Sequence, residues 1–386
     1  MSKDGSGSTA RLIQLCIGYF LSYVATGVLV KYFLNIRQPP FPEMGYLFNN
    51  TVGGSAFALG LVILLGWIRL KSNRLVQWGP WKVPSEVAYI LPSGICTAVV
   101  IPTTTLMYSL PISVMVAMVI MRGSVIVISR AVDALQIRQG ILTKRVYAEE
   151  NWAVVFALLA VATNVLLLPL VAFLGGHGPK LGPLIGIDPA AARGSFDFLH
   201  SGAAMAILGS YIVAYSLRIY IMNYFKNTRG KGVPQDNRGF FAIEQIAASF
   251  TMLIGGVFIF ASPSLLGWTD ARILEFRQAV MSPSPIAVLS GIPFGIVAFF
   301  SVFIFMFKGR TATFAGLVNR LTSLLAGTTA TLLMHYLFGL RLPSVQDWAS
   351  VFFIMVAVYF LSIAERKRIV ELALAREGAA AAGDAA

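Results

Sequence analysis

Charge is the scarcest thing in this sequence: only 12% of its 386 residues are Asp, Glu, Lys or Arg, where a soluble domain carries about 25%. Water is therefore not the main solvent of this chain. Acids are rarer than bases, 17 against 30, for a formal net charge of +13. The cations are scattered through short loops, with no basic patch alternating with stacking aromatics, so no nucleic-acid partner is expected. Cysteine is nearly absent. Cys16 and Cys96 both fall inside apolar runs, which excludes a disulfide framework and a thiolate metal site. The three histidines, His177, His200 and His335, are far apart. No HExxH, GxSxG or GxxxxGK[ST] motif accompanies them, so zinc proteolysis, serine hydrolysis and ATP-driven transport have no residues to carry them. No catalytic set, metal site or cofactor is expected, and the chain does not read as an enzyme.

What is present is apolar length: 57% of the residues are hydrophobic and the mean hydropathy is +0.75. A bilayer core takes roughly 20 helical residues per crossing. Runs bounded by Lys/Arg, Pro or Gly predict spans near 12–33, 46–68, 87–108, 111–129, 152–174, 201–223, 240–262, 286–307, 312–338 and 347–364. The runs are continuous where barrel strands would alternate, so the spans are helical. The expected fold is all-α: a polytopic membrane protein of about ten transmembrane helices. The polar first residues lack the layout of a cleaved leader, and the first run is read as a retained helix.

About 20 of the 30 Lys/Arg fall on one side of these spans and about 6 on the other, which predicts that both termini are cytoplasmic. The membrane is the plasma (inner) membrane in a bacterium, and an internal membrane is open in a eukaryote. The Gly/Pro-rich stretch 175–200 divides the spans into two sets of five, 12–174 and 201–365, with a tail at 1–11 and another at 366–386. SYVATGVLVKYFLN from Ser22 and SYIVAYSLRIYIMN from Ser210 begin and end alike, and MVIMRGSVIVIS from Met118 aligns with GLVNRLTSLLAG from Gly316. Five spans per half is odd, so equivalent helices run in opposite directions, as in inverted-repeat transporters whose site lies between the halves.

Four cations, Lys31, Arg122, Arg218 and Arg320, sit within or at the end of apolar helices, where each costs about 2.5 to 3.5 kcal/mol at the bilayer centre. The spans offer essentially one acid, Glu244, as a counter-ion or proton-coupling group. An anionic ligand or a water-filled cavity is therefore expected. Arg320 carries Thr313, Gly316, Ser323, Gly327 and Thr331 at helical spacing, a face that lines a cavity or admits close packing. Arg122 has Met115, Met118 and Val125 for neighbours. Lys31 and Arg218 lie nearer helix ends, where long stems also snorkel. Guanidinium forks suit carboxylate or phosphate, and cationic cargo fits poorly. Asn319 is a further polar candidate. Tyr108, Tyr211 and Tyr215 could face a sugar or base, and equally suit an interfacial belt.

Three passages carry a resemblance over about residues 12–365. They are SYVATGVLVKYFLN, LMYSLPISVMVAMVIMRGSVIVISRAVD and FAGLVNRLTSLLAGTTATLLMHYLFGLRLPSVQDW, the last through Phe338, Gly339, Pro343, Gln346 and Trp348. They resemble the drug/metabolite transporter superfamily, particularly its nucleotide-sugar and triose-phosphate branch. The resemblance implies a secondary carrier, often an exchanger, whose fourth and ninth helices bind a substrate phosphate through basic residues. Arg122 and Arg320 stand at the matching positions. Asn319 departs from the basic pair of phosphate-translocating members, which argues against triose phosphate and leaves nucleotide sugars and other organic anions. The expected partners are a small anionic substrate and membrane lipids, and a homodimer is compatible with them. Rival readings are a proton-coupled exporter using Glu244, a non-transporting receptor, and an intramembrane enzyme.

Overall fold

The computed structural model describes residues 9–109, 114–142, 145–174, 202–230, 232–340 and 345–383. The expected linker 175–200, with His177 and His200, lies outside the described residues, as does the side chain of Tyr108.

The chain is an all-α polytopic membrane protein. Its first half comprises α1 (Thr9–Lys31, continued by a π turn at Tyr32–Ile36), α2 (Glu43–Leu64), α3 (Val87–Ser109), α4 (Val114–Arg138) and α5 (Ala148–Leu174). The second comprises α6 (Gly202–Asn227), α7 (Asn237–Leu266), the short α8 (Ala271–Met281), α9 (Pro285–Leu289) continued by α10 (Ile292–Phe305), α11 (Ala312–Phe338) and α12 (Val345–Gly383). Among the described residues, 8 segments are long and apolar enough to cross a membrane. Helices α4 and α5, of 25 and 27 residues, rise about 37 and 40 Å and are not among those 8.

Most boundaries fall within a few residues of the hydropathy runs, and two do not. Span four, expected to stop at residue 129, continues to Arg138, and the last, expected to stop at 364, continues to Gly383. Asp133, on the extension of α4, is fully buried. Its carboxylate accepts from the backbone N–H of Ala312 at 2.8 Å and from Asn223 at 3.3 Å. It thereby meets the free donors at the start of α11, where Thr311 is also the N-cap, accepting from the Phe314 N–H. Glu150 is buried as well, so the interior acids extend beyond Glu244.

Helix packing follows a two-fold rule. Helix α1 packs on α10 and α11, and its counterpart α6 packs on α3 and α4; α2 packs on α10, and its counterpart α7 on α3. Helices α4 and α11 pack on each other, as do α5 and α12. Exchanging the two sets of five maps each of these pairings onto another. Where α2 crosses the α9–α10 segment, Gly53, Gly54, Gly291 and Gly295 bring the backbones together, with no space for side chains. The span breaks there between Leu289 and Ile292, and Pro293 supplies no N–H to continue the ladder.

The termini share one end of the bundle: Thr9 donates to Glu365 at 2.8 Å, and Glu365 also pairs with the buried Arg310. The same end holds Glu150, which accepts from Thr311 at 2.7 Å and from Arg368 at 3.2 Å, and Lys226, which donates to the Phe305 carbonyl at 3.3 Å. Buried polar contacts therefore close this end across both halves.

The all-α expectation has one exception. Between α2 and α3 lies a hairpin of β1 (Leu75–Trp78) and β2 (Trp81–Pro84), antiparallel and joined by Gly79 and Pro80. Gly79 has φ +58, a value two-residue hairpin turns demand and L side chains disfavour. Glu86 holds the stem: its carboxylate accepts from Ser72 Oγ at 2.5 Å, Asn73 N at 2.6 Å and Arg229 at 2.8 Å. Burial pushes this carboxyl up, yet the Ser72 and Asn73 hydrogen bonds and the Arg229 charge outweigh it and leave it below the usual carboxylate range. A depressed folded-state pKa gives stability that is present above the unfolded value and lost as pH falls through the folded one. Hydrogen exchange of the amides in 72–85, corrected for intrinsic rate, should therefore lose protection on acidification. Glu86→Gln should show the loosened stem at neutral pH and little further change below it.

Candidate functional site

The interior cations meet where α1, α4, α6 and α11 come together. Arg320 on α11 is 8% exposed and Arg122 on α4 is 6% exposed. Helices α4 and α11 approach closely beneath them, because a Cβ on Gly316 would stand 2.2 Å from Ser129 Oγ. Further along α11, Gly327 faces the Arg122 guanidinium, with its would-be Cβ 3.8 Å from Nη1. The two arginines thus occupy adjoining levels of one helix interface, about two turns apart along α11.

Each arginine lies over a tyrosine from the first helix of its own half. The Arg122 Cζ is 5.8 Å from the Tyr23 ring centroid on α1, and the Arg320 Cζ is 5.0 Å from that of Tyr215 on α6. Arg320 also donates to the Tyr215 hydroxyl through Nη2. Ring faces attract guanidinium without neutralising it, by about 0.5 to 2 kcal/mol each. Tyr211, Tyr19 and Tyr23 also lie within electrostatic reach of Arg320. No carboxylate pairs with Arg122 or Arg320 among the described residues, and the buried Nε of Arg320 has no hydrogen-bond partner. Asn319, fully buried, accepts from Tyr19 OH at 3.4 Å and donates to Ser301 at 3.1 Å, which presents a polar edge beside Arg320.

Arg218 is held differently. Its Nε and Nη2 donate to the two oxygens of Glu244 at 2.9 and 3.1 Å, a bidentate pair between α6 and α7. Glu244 also accepts from Ser93 at 2.7 Å and Thr97 at 3.2 Å on α3. Four hydrogen bonds hold the carboxylate between α3 and α6, which suits a fixed counter-ion. Tyr215 stands between the two systems, since the Arg218 Cζ lies 6.0 Å from the same ring that carries Arg320. The Cys96 thiol is buried on α3 beside Thr97.

Of the sequence candidates, the structure brings together Arg122, Arg320, Asn319, Tyr211, Tyr215, Arg218 and Glu244. Lys31 is not among them. It is exposed at the end of α1, two turns beyond Tyr23, where its stem is free to snorkel. Sequence reasoning passed over Tyr19 and Tyr23. Their spacing of four repeats that of Tyr211 and Tyr215 on the equivalent helix, and the aligned motifs place Tyr23 opposite Tyr211. That recurrence was the available signal.

No protein-family model matches the chain, and no curated protein matches it in sequence. Among solved structures, one described as a crystal structure of a protein is 16% identical and superposes with a TM-score of 0.52. The match covers 93% of this chain and 99% of the other. It shows that the two share a fold along nearly their whole lengths.

Proposed function

We propose that this protein is a secondary carrier for a small anionic metabolite, working by alternating access around the Arg122–Arg320 centre. The observation that supports this reading is a pair of buried guanidiniums, on equivalent helices of the two halves, that no carboxylate among the described residues answers. An uncompensated charge in such a place costs several kcal/mol, and an anion that takes up the guanidinium donors offsets that cost. Tyr19, Tyr23, Tyr211 and Tyr215 would flank the anion, and Asn319 would read a polar substituent. In this reading Glu244 serves as counter-ion to Arg218, not as proton carrier, which favours an anion exchanger over the proton-coupled exporter. The resemblance to the drug/metabolite transporter superfamily directs the choice of cargo to phosphorylated and nucleotide-linked compounds. The Lys/Arg distribution puts both termini in the cytoplasm.

Purified protein in proteoliposomes, loaded with carboxylates, sugar phosphates and nucleotide sugars in turn, provides the test. Arg320→Gln and Arg122→Gln should each lower uptake about 10- to 100-fold, the worth of a charge-assisted bidentate contact. Arg320→Gln should also melt no lower than the native protein when empty, because it removes a buried charge, and should lose the thermal shift given by transported compounds. Arginines that only clamp the helices would give the reverse: a lower melting temperature and a retained shift. Uptake that survives neutralising both arginines overturns the proposal.

A further inference from the structure

The hairpin between α2 and α3 has two unlike faces. Its register pairs Val76 with Val83 and Trp78 with Trp81. Cross-strand partners share a face, and residues two apart along a strand share it too. One face therefore consists of Val76, Trp78, Trp81 and Val83, while Leu75, Gln77, Lys82 and Pro84 form the other. The tryptophans are 51% and 72% exposed. An isolated two-stranded hairpin is marginal in water, so an uncovered face with two indoles calls for another surface.

Position and charge say which surface. The hairpin begins 11 residues after the end of one span at Leu64 and ends three before the start of another at Val87, which holds it near a membrane surface. Its stem is fixed to the loop between α6 and α7. Asn73 donates to the Thr228 carbonyl and accepts from Gly230 N, each at 3.0 Å, and Arg229 donates to the Lys71 carbonyl at 2.6 Å. Arg69, Lys71, Arg74 and Lys82 are exposed around it. Residues 69–85 contain no acid, and Glu86, which follows, is buried in the stem. Indoles settle at the headgroup level of bilayers, and adjacent cations draw anionic lipid.

We propose that this hairpin is a lipid-contact element that seats Trp78 and Trp81 in the headgroup region of the leaflet on the side of the chain termini. Arg69, Lys71, Arg74 and Lys82 bind anionic phospholipid headgroups there. The rigid stem transmits this contact to the junctions of α2, α3, α6 and α7.

The test reads tryptophan emission from full-length protein in bilayers of phosphatidylcholine or phosphatidylglycerol brominated near the carbonyl end of the acyl chains. Subtracting the emission of the Trp78→Phe/Trp81→Phe variant isolates the hairpin from the other indoles. The difference signal should be quenched by both lipids, more strongly by the anionic one, and be little affected by acrylamide in the aqueous phase. Neutralising Arg69, Lys71, Arg74 and Lys82 to Gln should remove the preference for anionic lipid and keep the quenching itself. Lys82→Gln alone, a milder change distant from the stem, should reduce that preference. A difference signal quenched by acrylamide and not by lipid would place the hairpin in water. One quenched by neither would place it against protein, a second copy included. Either result overturns the proposal, as does an anionic preference that survives the neutralised variant.

Discussion

Glu244→Ala is expected to destabilise the protein by about 3 to 5 kcal/mol, the usual consequence of leaving one member of a buried ion pair without the other. The Arg218 guanidinium would then stand unpaired beside Tyr215, and Ser93 and Thr97 would each lose their acceptor on Glu244. Arg218→Ala should be comparably harmful from the opposite side, stranding a carboxylate that has lost its bidentate partner. The informative variant is the double one. Arg218→Met with Glu244→Leu removes both charges together and should recover most of the loss, because paired burial itself returns little net stability. Thermal unfolding of purified protein in one detergent, across the three variants, reads this directly. A Glu244→Ala protein that melts with the native one would mean that water reaches the site and solvates Arg218.

A second large effect is expected where α2 crosses α9 and α10. A Cβ on Gly53 would lie 1.8 Å from the Val288 carbonyl oxygen, and one on Gly291 would lie 2.1 Å from that of Asn50. Both obstacles are backbone, so no rotamer change relieves them and the helices must separate. Overpacking of this kind costs about 1 to 3 kcal/mol and more where the neighbour is rigid. Gly53→Ala and Gly291→Ala should accordingly lower the melting temperature and the yield of folded protein. Gly60, on the same α2, has nothing within 4 Å. Gly60→Ala should be neutral or should gain about 0.5 to 1 kcal/mol from helix propensity. Equal melting of the Gly53 and Gly60 variants would refute the close crossing.

The spans were legible because bilayer thickness dictates their length and lipid forbids polar interruption. Arg122 and Arg320 were legible for the same reason, as cations where lipid-facing helices carry none. The hydropathy signal failed at α4 and α12, because Asp133 and Arg368 on their extensions are buried against protein instead of facing lipid. Arg218 and Glu244, 26 residues apart in sequence, pair across two helices. Their pairing depends on how those helices pack, which periodicity does not encode. The hairpin went unseen because its strands are only four residues each, shorter than the runs that periodicity resolves. Tyr19 and Tyr23 looked like ordinary aromatics of a first span, and their neighbours across the interface give them a place in the site.

The exchange of partners between the halves bears on how the chain is made. Helix α1 is made well before the helices it packs against, since α10 and α11 begin about 260 and 280 residues after α1 ends. Helices in a bilayer are stable individually before they associate, so the early spans can wait in lipid without their late partners. Arg122 waits with them, away from α11. The ribosome therefore delivers a first half that cannot complete its own interior, and assembly is decided only when the last helices arrive.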